Sequence, residues 1–192
     1  TSLPEPQKTG LVSIEKTLSA RKSVRNFSDR TLSLEQLSQL LWAAQGINRP
    51  DQNRRTCPSA GATYPLETYV ITPKGIYHYS VKEHNLKLVK KGDFREKLSE
   101  ASLGQKSVAR ARVNIIFCAV YSRTTRRYGE RGIRYVHMEA GHAAQNIHLQ
   151  AVALGLGSVP VGAFHDNEVK EILECKTEES PIYIIPVGYP QE

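Results

Sequence analysis

Apolar positions along the chain change period several times, and each change marks an element. Leu34, Leu37, Leu40, Leu41, Ala44 and Ile47 recur in steps of three and four, which lines one face of a helix. Ser33 with Gln36 three residues later forms a capping-box pattern and Gly46 supplies a stop, so a helix is predicted over 34–46. Ile14 and Leu18 give a shorter helix over 13–20, running into the basic pair Arg21-Lys22. Thr68–Thr72, Ile76–Ser80 and Leu86–Lys90 are β-rich and separated by turn-forming residues, which predicts an antiparallel meander. Asp93 is placed to cap a helix carrying Phe94, Leu98 and Ala101. Val113–Tyr121 is an apolar, β-branched run broken only by Asn114, the pattern of a central strand buried in a sheet.

Tyr135–Leu154 is the longest predicted helix. Its Ala140, Gly141, Ala143, Ala144, Ala151 and Ala153 allow close approach to the backbone, as in a core or a subunit interface. Gly155 and Gly157 end it, Val159–Gly162 reads as extended, Asp166 caps a helix to Leu173, and Ile182–Val187 is the last strand. Helices and strands intermix without βαβ alternation, which indicates the α+β class with a central mixed or antiparallel sheet flanked by helices. The polar run Asn48–Arg55 is expected as one long loop, residues 1–12 as an extended arm, and 1–192 as one domain.

Composition narrows the class. A chain of 192 residues, 40% hydrophobic and 23% charged, is long enough for one core that removes about 70% of its unfolded surface from water. No apolar run approaches the roughly 20 residues that span a bilayer. Cys57, Cys118 and Cys175 are odd in number and far apart, which argues against a disulfide framework and fits a reducing, cytoplasmic setting. Met138 is the only methionine, so the start is processed or trimmed, and a removed signal segment stays open.

Several chemistries lack their residues. There is no phosphate-binding P-loop, and Gly155-Leu156-Gly157 is too short a motif for a dinucleotide turn. His137 and His142 are five residues apart, about 140° around a helix, which argues against a shared metal. No Gly-x-Ser-x-Gly elbow exists, and no cysteine has an adjacent histidine. A chain with glycine-rich loops and basic clusters but no catalytic constellation of its own fits a bound cofactor.

Four segments in order carry a resemblance: Arg21-Lys22-Ser23-Val24-Arg25-Asn26-Phe27, Pro58–Glu67 (PSAGATYPLE), Glu139–Asn146 (EAGHAAQN) and Gly155–Phe164 (GLGSVPVGAF). Together they resemble the nitroreductase family, most of all its dehydrogenases related to SagB proteins and azoline oxidases. The resemblance implies a nitroreductase-like fold and a homodimer with FMN at the subunit interface. It also implies an oxidoreductase that moves hydride through flavin N5, from a donor such as NAD(P)H to a small-molecule acceptor. An oxidase that passes electrons to oxygen is an alternative within the same fold.

Arg21 and Arg25, four residues apart, suit a phosphate dianion, with Lys22 and Ser23 on the phosphate or the ring's O2 edge. Read without the family, the same residues are a solvated basic turn. Pro58, Ser59, Ala60 and Gly61 would reach the partner's flavin, with Ser59 donating to an oxygen; otherwise they form a plain turn into a strand. Pro160, Val161, Gly162 and Ala163 would lie along the ring, with a backbone N–H from Gly162 or Ala163 at N5 and no catalytic side chain. Many members carry glutamate where Gly162 stands. Azoline-oxidase relatives have Lys-Tyr where this chain has Arg127-Tyr128, and a guanidinium is a poor proton shuttle; Tyr128 is a candidate substrate contact or a surface tyrosine. Members often carry a Lys or Arg for the phosphate beyond the last strand, whereas this sequence stops at Gln191-Glu192, so the expectation is either that Arg21 and Arg25 do that work alone or that FMN binds less tightly.

A net charge of +7, with Arg123, Arg126, Arg127, Arg131 and Arg134 close together, raises a competing function as a binding module for nucleic acid or an acidic partner. Glu130 interrupts that stripe and no nucleic-acid motif accompanies it.

Overall fold

The computed structural model describes residues 1–191; Glu192, the end of the C-terminal stop noted above, lies outside them. In chain order the elements are α1 (Ile14–Ala20), α2 (Leu34–Gln45), β1 (Ile47–Arg49), β2 (Arg54–Arg55), β3 (Leu66–Thr72), β4 (Gly75–Ser80), β5 (Asn85–Lys91), α3 (Arg95–Ala101) and α4 (Lys106–Arg110). There follow β6 (Val113–Ala119), α5 (Ser122–Tyr128), α6 (Arg131–Ala153), β7 (Gly157–Ser158), α7 (Asp166–Leu173) and β8 (Ser180–Gly188). Six strands form one sheet in the order β5-β4-β3-β6-β8-β7, and every strand pairing in it is antiparallel.

The apolar run of β6, with Asn114 its one polar residue, has a structural reason. Side chains alternate across a strand, so Ile115 and Phe117 enter the core under α2 and α6. Ile116 and Cys118 enter a second core with Leu98, Val108, Val169 and Leu173, under α3, α4 and α7. Both faces being covered, all seven residues of β6 are buried. α2 begins as its sequence requires, with the Gln36 backbone N–H donating to Ser33 Oγ at 3.2 Å and the Ser33 N–H to Gln36 Oε1 at 3.0 Å.

Four expectations need correction. The long helix α6 starts at Arg131, four residues before Tyr135, and the arginine-rich stretch ahead of it is a helix, α5. No apolar period marks that stretch, but arginine is a good helix former, and Gly132 lets α6 pack onto α5 where a Cβ would stand 2.9 Å from the Thr125 Cα. The polar run 48–55 folds into β1, a single 3₁₀ turn at Pro50–Gln52 and β2 rather than a loop. Asp93 and Asp166 do not occupy N-cap positions; these belong to Phe94 and His165, although Asp93 Oδ1 still accepts the Arg95 N–H at 3.1 Å. The start of the arm is extended and laid along β5, with Leu3 N–H donating to His84 O at 3.2 Å. Among the described residues no helix is long and apolar enough to cross a membrane.

Candidate active site

Residues 21–25 and 157–163, far apart in sequence, are built into one ledge. α1 ends at Ala20 and the chain continues extended, with Arg21 at φ −60°, ψ 122°. Ser23 pairs in parallel with Ser158, and the Val24 N–H donates to Ser158 O at 3.0 Å. Gly157 permits this approach, since a Cβ there would stand 2.6 Å from Val24 Cβ. Arg21 is the C-cap of α1, and because the chain runs on extended from that helix end, Arg21 and Arg25 share a side, as residues two apart do in a strand. Ser23 therefore stands with them. Lys22 alternates to the other side with Val24, where both line a cleft with Gly155, Gly157 and Pro190.

The ledge is polar and open. Arg21, Lys22, Ser23 and Arg25 are exposed, and among the described residues none of these three cations has a carboxylate partner. Beneath them His148, buried, is hydrogen-bonded to Ser158 Oγ at 2.7 Å. Burial, and then the positive charge of Arg21, pull the His148 pKa down to about 4. At neutral pH it is an uncharged support that fixes the Ser158 hydroxyl.

At the far end of the ledge the exposed polar groups belong to the backbone. Val161 is locked to β8 by paired hydrogen bonds with Ile184, 2.8 and 3.0 Å, and its side chain is buried in the second core. Gly162 and Ala163 then project into solvent. The Ala163 carbonyl accepts from Gln105 Nε2 at 3.0 Å, while the N–H groups of Gly162 and Ala163 donate to nothing among the described residues. A Cβ at Gly162 would meet no atom within 4 Å. Two free donors on a rigid support, facing open space, suit a flat acceptor edge.

Pro58–Gly61 lies apart from this ledge, against α5 and α6. Gly61 has φ +59°, and a Cβ there would stand 2.7 Å from Tyr128 Oη and 2.8 Å from the Arg127 guanidinium, so Tyr128 does gather with this loop. Tyr128 also meets Tyr135 edge-on, with ring centroids 5.2 Å apart. The loop is anchored by Thr63 and Thr124, whose hydroxyls are 2.8 Å apart, and by Cys57 Sγ donating to Glu139 O at 3.5 Å. Ser59 Oγ accepts the Tyr64 N–H at 2.9 Å.

α5 is fastened to the sheet through Glu67, whose carboxylate takes a hydrogen bond from Arg123 and another across 2.7 Å from His78. Burial alone would raise the Glu67 pKa, but these two bonds and their charges bring it down to about 2. Sequence reasoning missed Gln105, His148, Arg55 and the part played by Glu139. The first three carry no local motif; Glu139 stood inside a quoted segment, and only its burial distinguishes it.

Comparison with known proteins follows the same outline. Residues 18–189 match the model of the nitroreductase family. A Methanocaldococcus jannaschii protein described as a nitroreductase is 45% identical over 183 residues, 92% of this chain and 91% of its own. The crystal structure of a Ralstonia eutropha nitroreductase superposes with a TM-score of 0.91 at 32% identity, covering 100% of this chain and 89% of that one. An FMN reductase [NAD(P)H] of Bacillus subtilis is 26% identical over 92% of this chain and 66% of its own. The chain belongs to the nitroreductase family, and as such is an oxidoreductase.

Proposed function

We propose that the chain is an FMN-dependent oxidoreductase that works as a homodimer, with the flavin between the ledge of one protomer and the Pro58–Gly61 loop of the other. The observation that carries this reading is the parallel register of Ser23 on Ser158, which joins unpaired cations and free backbone donors in one strip. Because the two segments run the same way, Arg21 lies toward the His148 end and Arg25 toward Gly162. A phosphate would take Arg21 and Ser23, with charge-assisted hydrogen bonds. The anionic N1–O2 edge of a reduced ring would then face Arg25 rather than Lys22, and its N5 the N–H groups of Gly162 and Ala163.

Bound there, FMN supplies hydride exchange at N5 between a reduced donor such as NAD(P)H and an acceptor. The protein holds the ring and stabilises its charge; Gly162, where relatives have glutamate, leaves the acceptor side open. Within one chain the Pro58–Gly61 loop keeps its contacts to α5 and α6, which supports its service to a partner's site, with Tyr128 beside it as the candidate contact for a small-molecule acceptor. The 26% identical FMN reductase supports the cofactor and the donor.

The test is a visible spectrum of the purified protein with and without added FMN, with light scattering on the same sample. Bound-flavin absorbance and a dimer are expected. A colourless monomer that leaves the FMN spectrum unshifted would falsify the reading, and retention of DNA or RNA at low salt would then favour the arginine stripe as a binding surface.

A further inference from the structure

Two of the three free thiols meet at the second core. Cys118 on β6 and Cys175 just beyond α7 are 57 residues apart in sequence, yet their Sγ atoms lie 3.6 Å apart, within hydrogen-bonding reach for sulfur. The fold brings them together from both sides. Alternation along β6 turns Cys118 to the same face as Ile116, and α7 lays Val169 and Leu173, both fully buried, on that face. Glu174 then ends α7 in the left-handed region, at φ 53° and ψ 42°, and the Cys175 N–H donates back to Lys170 O at 3.1 Å. A chain that turns in this way at a helix end folds the next residue against the helix's buried side.

The two sulfurs differ in access and in freedom. Cys118 is fully buried and paired on both edges, opposite Glu67 of β3 and Pro181 of β8. Cys175 is half-buried and lies between α7 and β8, outside any regular element. Bonded sulfurs stand about 2 Å apart, so the pair must close by about 1.5 Å, and Cys175 is the side that can move. Burial first, then the bond to Cys175 and the carboxylates of Glu179 and Glu67, push the Cys118 pKa up, so Cys118 is not the thiol that meets an oxidant first. Cys57 has no such neighbour: its Sγ faces the carbonyls of Pro58 and Glu139, each at 3.5 Å.

We infer that Cys118 and Cys175 are a redox modification site, at which hydrogen peroxide ties the end of α7 to the central strand through a reversible disulfide. Cys175 Sγ attacks a peroxide oxygen: an S–O bond forms, the O–O bond breaks, and the departing hydroxide with the proton lost by the thiol makes one water. The product is a sulfenic acid, which condenses with a nearby thiol. Cys118 Sγ attacks Cys175 Sγ, the S–S bond forms as the S–O bond breaks, and the second hydroxide leaves as water with the Cys118 proton. Two thiols lose two electrons in all, and one peroxide becomes two waters. A reducing compartment keeps both thiols free at rest. The inference is independent of the flavin reading.

The experiment treats the whole chain with hydrogen peroxide, then counts thiols after denaturation, maps linked peptides by mass spectrometry and records melting curves with and without dithiothreitol. Wild type is expected to lose two of its three thiols and two hydrogens in mass, to yield a Cys118–Cys175 linked peptide, and to melt about 5 °C or more higher. Dithiothreitol should reverse all of these changes. C57S should behave as wild type, whereas C118A should gain oxygen on Cys175 and no thermal shift. Three thiols still free after treatment, oxygen added to wild-type Cys175 without a cross-link, or a link made through Cys57 or between two chains would each overturn the assignment. Peptide mapping of wild type decides the matter even where C118A fails to fold.

Discussion

The ledge and the Pro58–Gly61 loop provide for ligand charge in contrasting ways. On the ledge the cations are exposed and, among the described residues, without carboxylate partners, and the backbone beneath them is fixed by β-type pairing and by a neutral, buried His148. At the loop Ser59 and the following Thr63 are engaged within their own chain, and the group left without a partner is the buried carboxyl of Glu139 on the adjoining α6. The ledge is preorganised for an anion at little cost to the fold, since exposed arginines pay no desolvation. The loop carries the cost of a desolvated acid, which stability alone does not explain.

The largest effect that would break this contrast is removal of the ledge cations. R21A/R25A is expected to lose about a hundredfold or more in FMN affinity, from two charge-assisted contacts of roughly 1.5–3 kcal/mol each. The melting temperature of the flavin-free protein should stay within a degree or two, because neither side chain packs in the core. Unchanged cofactor content after gel filtration would show that the phosphate lies elsewhere. Next in size is G157A, which pushes a Cβ against the stiff, branched Val24; a loss of about 1–3 kcal/mol in urea unfolding is expected, together with weaker flavin retention. A wild-type midpoint would mean that the parallel pairing of Ser23 and Ser158 can slide.

Two pH effects of similar size and opposite sign sharpen the comparison. Glu139 titrates at about 7 in the fold against an ordinary 4.5, so the stability it allows is complete below pH 4.5 and is lost as pH rises through 7. E139Q should therefore gain on wild type with rising pH, by on the order of 2 kcal/mol above neutrality, read from melting curves across that range. Glu67 is the reverse, at about 2 in the fold against 4.5. Its contribution is complete above pH 4.5 and disappears as pH falls toward 2, so E67Q should flatten acid unfolding by on the order of 2 kcal/mol while lowering stability at neutral pH. A variant with the wild-type acid limb would show that Arg123 and His78 find other acceptors.

Much of this architecture was legible in the chain itself. The capping box of α2, the meander of β3 to β5 and the doubly buried β6 follow from local period and turn chemistry, and the ledge segments were recognisable because their residues resemble segments of the nitroreductase family. What tertiary structure alone decided was partnership. That Ser23 lies on Ser158 and that Lys22 alternates away from Arg21 depend on an extended pairing between segments more than a hundred residues apart, and that Gln105 holds Ala163 depends on a side chain 58 residues away in sequence. The charge state of Glu139 was likewise invisible, because a glutamate on a helix is ordinarily solvated. Only packing of β2, the Pro58–Gly61 loop and α6 around it removes the water that would have held its pKa near 4.5.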